Sequence, residues 1–202
     1  MQELFLESSL FPVTLPDAEI EYFPYFYTSK EADFLYQKLN DETPWKAEKI
    51  KVFGKEYDQP RLTALHAVEQ KSYTYANLTL KPLSFTPILN EILQKIKTVD
   101  DAQYNAVLLN LYRHGQDSNG WHADNEKELG LNPTIASISL GEERYFHLKH
   151  RRHKDQRYKI KLKHGSLLLM KGPMQHHWLH QIPKTTKPIE SRINLTFRNL
   201  IH

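Results

Sequence analysis

The stretch Arg192-Ile193-Asn194-Leu195-Thr196-Phe197-Arg198 constrains the fold of this chain more than any other. Apolar and polar residues alternate strictly, the period of a β-strand with two different faces. Ile193, Leu195 and Phe197 lie on one face and belong in a core. Arg192, Asn194, Thr196 and Arg198 lie on the other. Two guanidiniums on the inner face of a strand are costly unless anions meet them. Internal carboxylates would meet them. So would a bound molecule with two carboxylates, each guanidinium taking one as a bidentate pair.

The rest of the second half follows the same period. Strands are expected at 105–112, 134–140, 144–149, 158–163, 166–170 and 192–199. In the second of these, Ala136, Ile138 and Leu140 share one face, and Ser137 and Ser139 the other. The first puts Asn110 and Tyr112 on a common face. Two helices are expected before them. One spans 28–40, with Thr28 and Glu31 as a capping box and Phe34, Leu35 and Leu39 as its apolar stripe. The other spans 87–97, with Thr86 as N-cap, Pro87 at N1 and Ile88, Leu89, Ile92, Leu93 and Ile96 on one face. Short strands following two helices predict an α+β protein with a β-sandwich or jelly roll, and 202 residues suit one domain.

Composition narrows the chemistry. The chain has no cysteine, which excludes disulfides, a thiol nucleophile, Cys-ligated zinc and Cys-ligated iron–sulfur clusters. Any metal must sit on histidine and carboxylate, and 11 histidines are present. No apolar run reaches the length of a membrane span, and MQELFLESSL lacks the basic start of a signal peptide. No membrane partner is expected. Location is expected to be cytoplasmic in a bacterium, or nuclear in a eukaryote. Residues 144–163 hold nine Lys/Arg and one acid, against 27 and 24 in the whole chain, so the remainder is acidic. Such a segment is either a polyanion-facing edge or a solvated hairpin.

His122 and Asp124 lie two apart, so an extended chain aims both at one point. A histidine from GPMQHHWLHQIP would complete two histidines and one carboxylate, the facial triad of non-haem Fe(II) oxygenases. Spacing alone leaves His176, His177 and His180 open for that role.

The motifs NLY, WHADNE, IASISLG, HGSLLLM, HHWLH and RINLTFR occur here in an order that resembles the AlkB family of Fe(II)- and 2-oxoglutarate-dependent nucleobase demethylases. The likeness extends from about Pro16 to the C-terminus, beginning with LPDAEIEYFPYF. It implies a double-stranded β-helix (jelly roll) core with N-terminal helices and a nucleotide-recognition lid. One domain would span 1–202, with helices and lid over about 16–100 and the catalytic jelly roll over about 101–202.

The resemblance implies His122, Asp124 and His180 as Fe(II) ligands. It implies Arg192, helped by Tyr112 and Asn110, at the distal carboxylate of 2-oxoglutarate. Asn194 and Arg198 would surround its iron-end carboxylate, and Thr196 would line the pocket. Arg61, Tyr73 and Tyr75 match the base-handling lid, with Tyr75 and His122 sandwiching the base and Glu126 beside its exocyclic amine. Plain hairpin packing is the other reading of the two tyrosines. Phe53 and Gly54 resemble a wedge loop that fills the gap left by an extruded base, and Arg151, Arg152 and Lys154 would grip phosphates.

The activity so implied is oxidative removal of the methyl group of N1-methyladenine and N3-methylcytosine in DNA. It consumes O2 and 2-oxoglutarate, releases formaldehyde, succinate and CO2, and uses ascorbate as reductant in vitro. Single- or double-stranded alkylated DNA is the expected partner, and a monomer the expected state. An RNA demethylase and a non-catalytic nucleic-acid-binding jelly roll are the alternatives.

Overall fold

A computed structural model describes residues 4–6, 13–52, 55–68, 73–75 and 78–201. In chain order the strands are β1 (Leu4–Leu6), β2 (Val13–Leu15), β3 (Ala18–Phe23), β4 (Lys46–Val52) and β5 (Lys55–Ala67), then β6 (Tyr73–Tyr75), β7 (Leu78–Leu80), β8 (Ala106–Tyr112), β9 (Asn119–His122) and β10 (Ile135–Gly141). The last five are β11 (Arg144–His150), β12 (Arg157–Leu162), β13 (Ser166–Lys171), β14 (Trp178–Ile182) and β15 (Arg192–Arg198). The described residues also hold the α-helices α1 (Ser29–Glu42), α2 (Pro87–Ile96) and the single turn α3 (Met174–His177), and a 3-10 turn at Lys127–Leu129.

The strands form an eight-stranded sheet, ordered β2-β3-β13-β10-β15-β8-β5-β4, and a five-stranded sheet, ordered β1-β12-β11-β14-β9. A ribbon of β6 and β7 stands apart. Except for the parallel pairing of β1 with β12, the pairings within these sheets are antiparallel. Two facing sheets of this kind make the expected jelly roll.

β15 lies at the centre and serves two cores. Ile193, Leu195 and Phe197 join Ala136, Ile138 and Leu140 of β10 in a core shared with α1 and α2. The opposite face of the large sheet supplies Leu108, Leu168 and Met170 to a second core with Phe146, Leu148, Ile160 and Trp178 of the smaller sheet. The polar face of β15 therefore looks into the space between the sheets.

Both expected helices are present, each with its cap. Thr28 Oγ accepts from the Glu31 backbone N–H at 3.3 Å, and Glu31 accepts from the Thr28 N–H at 2.8 Å. Thr86 Oγ accepts from Leu89 N–H at 3.4 Å, with Pro87 at the helix start. The apolar stripe of α1 needs correcting. Phe34 is 60% exposed, whereas Ala32, Leu35 and Leu39 are buried. Ala32, Leu35 and Leu39 recur at spacings of three and four, and at about 100° per residue Phe34 falls roughly 130° from the middle of that stripe.

The first half also holds more strand than its pattern predicts. β5, 13 residues long, reads KEYDQPRLTALHA, with no alternation in its first half and a proline inside. Pro60 is accommodated because its pairing with β4 is irregular nearby and its carbonyl accepts from Ser118 N–H at 2.9 Å.

Gly141 ends β10 at φ +84°, opposite Arg192 in register. A Cβ there would lie 2.5 Å from the Ser191 carbonyl oxygen. Replacing Gly141 by Ala should therefore cost about 1–3 kcal/mol, combining left-handed strain with backbone displacement beside Arg192. Urea unfolding measures it; a loss under 0.5 kcal/mol, on the order of an ordinary surface substitution, would contradict the assignment.

Candidate metal and dicarboxylate site

His122 ends β9 and faces His180 of β14 in register. Their ring centroids are 4.2 Å apart and nearly perpendicular. Asp124 follows two residues beyond His122. The candidate ligand atoms of His122, Asp124 and His180 all lie within 4.8 Å of one another. The open choice among the three downstream histidines thus resolves to His180, because strand alternation buries it inward. His176 is exposed, and His177 lies beside Asp17 instead.

Each of the three side chains is held. His122 Nδ1 lies 2.7 Å from the Gly120 carbonyl oxygen, so Nδ1 carries the proton and Nε2 is a lone-pair donor. Asn119 Nδ2 approaches that Nε2 at 3.1 Å. The Asp124 backbone N–H donates to Gln175 Oε1 at 2.9 Å, and Asp124 Oδ1 accepts from Arg198 Nη2 at 2.8 Å. His180 Nδ1 is buried without a hydrogen-bond partner.

The electrostatics suit a divalent cation. Burial holds His180 at about 3, and the neighbouring His122 adds to that shift. Burial lowers His122 as well, against the pull of Asp124. Burial alone would raise Asp124, but Arg198 and the two imidazoles outweigh it and keep the carboxyl below its usual range. Two neutral imidazoles and one carboxylate anion result, the donor set that an Fe(II) facial triad requires.

Beside the cluster is a cavity lined by Asn110, Tyr112, Ser137, Arg192, Asn194, Thr196 and Arg198, with Phe146, Leu162 and Ile182 as apolar wall. Arg192 is 1% exposed. Its Nη2 donates to Ser139 Oγ at 2.9 Å, and its Cζ lies 5.2 Å from the Tyr112 ring centroid. Its Nε and Nη1 find no acceptor. Desolvation first, and the nearby Arg144 second, lower it to about 10. The two arginines of β15 thus have different fates: Arg198 Nη2 meets an internal carboxylate, whereas Arg192 Nη2 meets only a hydroxyl and its Nε and Nη1 find no acceptor among the described residues. A carboxylate at the far end of 2-oxoglutarate suits this guanidinium, which lacks a counter-charge among the described residues, and the apolar wall suits its methylenes.

The other polar residues form a chain. Arg61 Nε donates to Asn110 Oδ1 at 2.8 Å, and Asn110 Nδ2 lies 3.5 Å from Asn194 Oδ1. Asn194 donates to Ser137 Oγ at 2.8 Å and accepts from Thr196 at 3.0 Å. Arg61, expected at the base, is buried behind Asn110 with Nη1 on the Ser118 carbonyl at 3.2 Å. The Glu126 carboxyl is largely buried near Asp124; burial first, then the Asp124 charge, raises its pKa, and Oε2 has no partner.

The remaining expected residues belong to other segments of the chain. Tyr73 and Tyr75 pair with Leu80 and Leu78 in the ribbon; their side chains, and Phe53 and Gly54 altogether, lie outside the described residues. Arg151, Arg152 and Lys154 are exposed in the turn between β11 and β12. His150 braces that turn: Nδ1 accepts from the backbone N–H of Arg152 at 3.1 Å and His153 at 3.0 Å, while Nε2 faces Asp17 at 3.3 Å. Asp17, His150 and His177 form a second cluster of candidate ligands. With Nδ1 accepting twice, His150 Nε2 carries the proton and donates to Asp17, so the cluster does not suit a metal.

Three further contributors carry little sign of their role in the sequence. Gln175 sits in a segment whose histidines hold the metal-ligand signal. Ser139 shows its correct parity but no role. Arg144, counted with the basic segment, is buried: its Nη2 donates to Asp117 O at 3.2 Å and Pro183 O at 2.6 Å, beside Tyr112. Its parity with Phe146 and Leu148 was the available signal.

A family model described as 2OG-Fe(II) oxygenase superfamily matches residues 19–198. The chain belongs to that superfamily. Within it the chain falls in the AlkB family, by its likeness to curated relatives. It is 36% identical over 181 residues to the DNA oxidative demethylase ALKBH2 of Bos taurus, covering 85% of this chain and 65% of that protein. It is 37% identical over 187 residues to the alpha-ketoglutarate-dependent dioxygenase alkB homolog 3 of Homo sapiens, covering 88% and 65%. The human ALKBH2 is 37% identical over 184 residues, covering 85% and 69%. The chain thus spans about two thirds or less of the first two relatives. A solved structure of OsALKBH1 shares the fold, with TM-score 0.59 and 16% identity over 92% of this chain and 98% of that one. For an AlkB-family chain, the donor set and the unsatisfied Arg192 fit Fe(II) and 2-oxoglutarate.

Two outcomes are expected. Gln175→Leu leaves the Asp124 N–H unpaired and should weaken Mn(II) binding roughly 10–100-fold, the usual effect of losing a residue that orients a ligand; calorimetric affinity equal to that of the unsubstituted protein would refute this. Because both imidazoles titrate below their ordinary value, protons should not compete with metal until the solution is well below pH 6.5. Mn(II) affinity should change by less than about twofold between pH 7.5 and 6.0, whereas two ordinary histidines would cost roughly tenfold.

Proposed function

We propose that this protein is an Fe(II)- and 2-oxoglutarate-dependent dioxygenase that removes N-linked methyl groups from damaged nucleobases in DNA. The observation that carries this is the buried Arg192 guanidinium, with two nitrogens unpaired among the described residues, beside the His122–Asp124–His180 cluster. Names of the relatives support the nucleic-acid substrate: two are DNA oxidative demethylases.

Each residue has a part. Gly120 holds His122 in the tautomer that offers Nε2. Arg198 keeps Asp124 ionised and aimed, and Gln175 fixes its backbone. Arg192 would hold the distal carboxylate through its unpaired N–H groups, while Ser139 and Tyr112 restrain the guanidinium. Asn110, Asn194 and Thr196 offer amide and hydroxyl groups along the same wall. When bound, the iron and cosubstrate supply oxidation by O2: 2-oxoglutarate becomes succinate and CO2, and the hydroxylated N-methyl group leaves as formaldehyde.

N1-methyladenine and N3-methylcytosine are the substrates of choice. Both are cationic and cannot form normal base pairs, so extruding them costs less than extruding an intact base. Glu126 is the acid beside such a base, and a cationic base would favour its carboxylate form against the burial and the Asp124 charge that raise its pKa. Tyr75 stacks on the base opposite His122, Phe53 fills the gap in a duplex, and Arg151, Arg152 and Lys154 grip phosphates. The protein acts as a monomer.

The test is succinate and formaldehyde release with Fe(II), ascorbate and 2-oxoglutarate. The substrate is an oligonucleotide with one N1-methyladenine, presented as single-stranded DNA, duplex DNA and matched RNA. Turnover on DNA is expected to vanish in His122→Ala. Faster turnover on RNA would reassign the polymer, and no turnover despite bound metal and bound 2-oxoglutarate would overturn the substrate class.

A further inference from the structure

The outer face of the five-stranded sheet carries cations and aromatic rings that the chemistry above does not use. Strand alternation sends Phe146, Leu148, Ile160 and His180 inward. Their neighbours point out. Lys149 lies in register with Leu179 and Arg157, His147 with Gln181 and Lys159, and Tyr145 with Lys161. Trp121 is 37% exposed and Tyr145 40% exposed. Lys149 Nζ lies 4.2 Å from the centroid of the Trp121 ring, and Lys159 Nζ lies 5.5 Å from that of Tyr145. Lys161 is engaged by Glu143 at 2.6 Å, at the margin of the face.

We propose that this face is a binding platform for single-stranded nucleic acid flanking the base in the cavity, with bases stacked on Trp121 and Tyr145 and phosphates on Lys149, Arg157 and Lys159. The identity of the polymer rests on the function proposed above. Trp121 directly precedes His122, so the platform begins one residue from the metal cluster.

The chemistry selects this occupant. A flat sheet surface with exposed rings set among cations suits unpaired bases, whose π-faces are available, whereas a duplex hides them. A cation over an exposed ring holds it less strongly than a stacked base does, so each lysine can yield its ring and turn to a phosphate. Trp121 and Tyr145 stand two strands apart, with a further offset along the sheet. At about 4.8 Å per strand and about 3.4 Å per residue, that diagonal is roughly 12 Å, a short stretch of extended strand. The positive charge is also local: outside residues 144–163 acids outnumber Lys/Arg, so a polyanion is drawn here rather than spread over the surface.

The experiment compares the full chain with a triple variant, Tyr145→Ala, Lys149→Gln and Lys159→Gln, by fluorescence anisotropy. Probes are unmodified dT25, dT5, an abasic 25-mer and a 25-base-pair duplex. The unsubstituted protein should bind dT25 at least about tenfold tighter than dT5 and tighter than the abasic strand, because stacking adds to charge. The variant should lose most of that advantage, and its salt slope on dT25 should fall by about 1.4, two phosphate contacts at about 0.7 each. An unchanged dT25-to-dT5 ratio would overturn the proposal, and an equal loss on duplex would overturn the single-strand assignment. Circular dichroism checks the fold, and Lys149→Gln with Lys159→Gln alone serves if the triple variant is unstable. No lesion, iron or 2-oxoglutarate is needed, so failure of demethylation and failure of the platform are separate results.

Discussion

The hydrogen-bonded ion pair between Arg198 and Asp124, 2.8 Å long and buried between the sheets, is the contact on which the site depends. Burying either partner alone would cost several kcal/mol of lost hydration, which the pairing offsets. Together they tie the central strand of the large sheet to the loop that follows β9. The guanidinium also keeps Asp124 anionic where burial would otherwise protonate it. A metal ligand is thereby made ready before any metal arrives.

Arg192 shares that face of β15 and is just as deeply buried, yet no carboxylate of the described residues meets it. This asymmetry gives the cavity a direction. One end is electrically closed by the protein itself, and the other requires an anion from outside. Around the open end, Ser139, Tyr112 and the buried Arg144 restrain Arg192 without neutralising it. The cost of such a site is borne by the rest of β15. Ile193, Leu195 and Phe197 are fully buried under α1 and α2, and anchor the strand that carries the charges.

The basic segment divides along the same strand parity. Arg144 turns inward and becomes part of the cosubstrate pocket's support, whereas Lys149, Lys159 and Lys161 turn outward. A net charge summed over residues 144–163 therefore mixes two roles. The turn at 151–154 is a third element, braced by His150, whose Nδ1 accepts from two backbone N–H groups.

Periodicity was enough to find β8, β10, β11, β12, β13 and β15, both long helices and their caps, because each signal is local to a few residues. It failed for β5, where proline and charged residues hide a strand whose place is set by pairing with β4 and β8. It misplaced Phe34 for want of knowing which face α1 lays on β10. Residue order alone determined that this chain has a strand with two inward arginines, a histidine and an aspartate aimed together, and no thiol chemistry. Tertiary structure decided which arginine is paired and which is not, that His180 is the histidine meeting His122, and that Arg144 and Gln175 belong to the site. Those choices depend on cross-strand register and on burial, which bring together residues as distant as Asp124 and Arg198, and no local pattern encodes them.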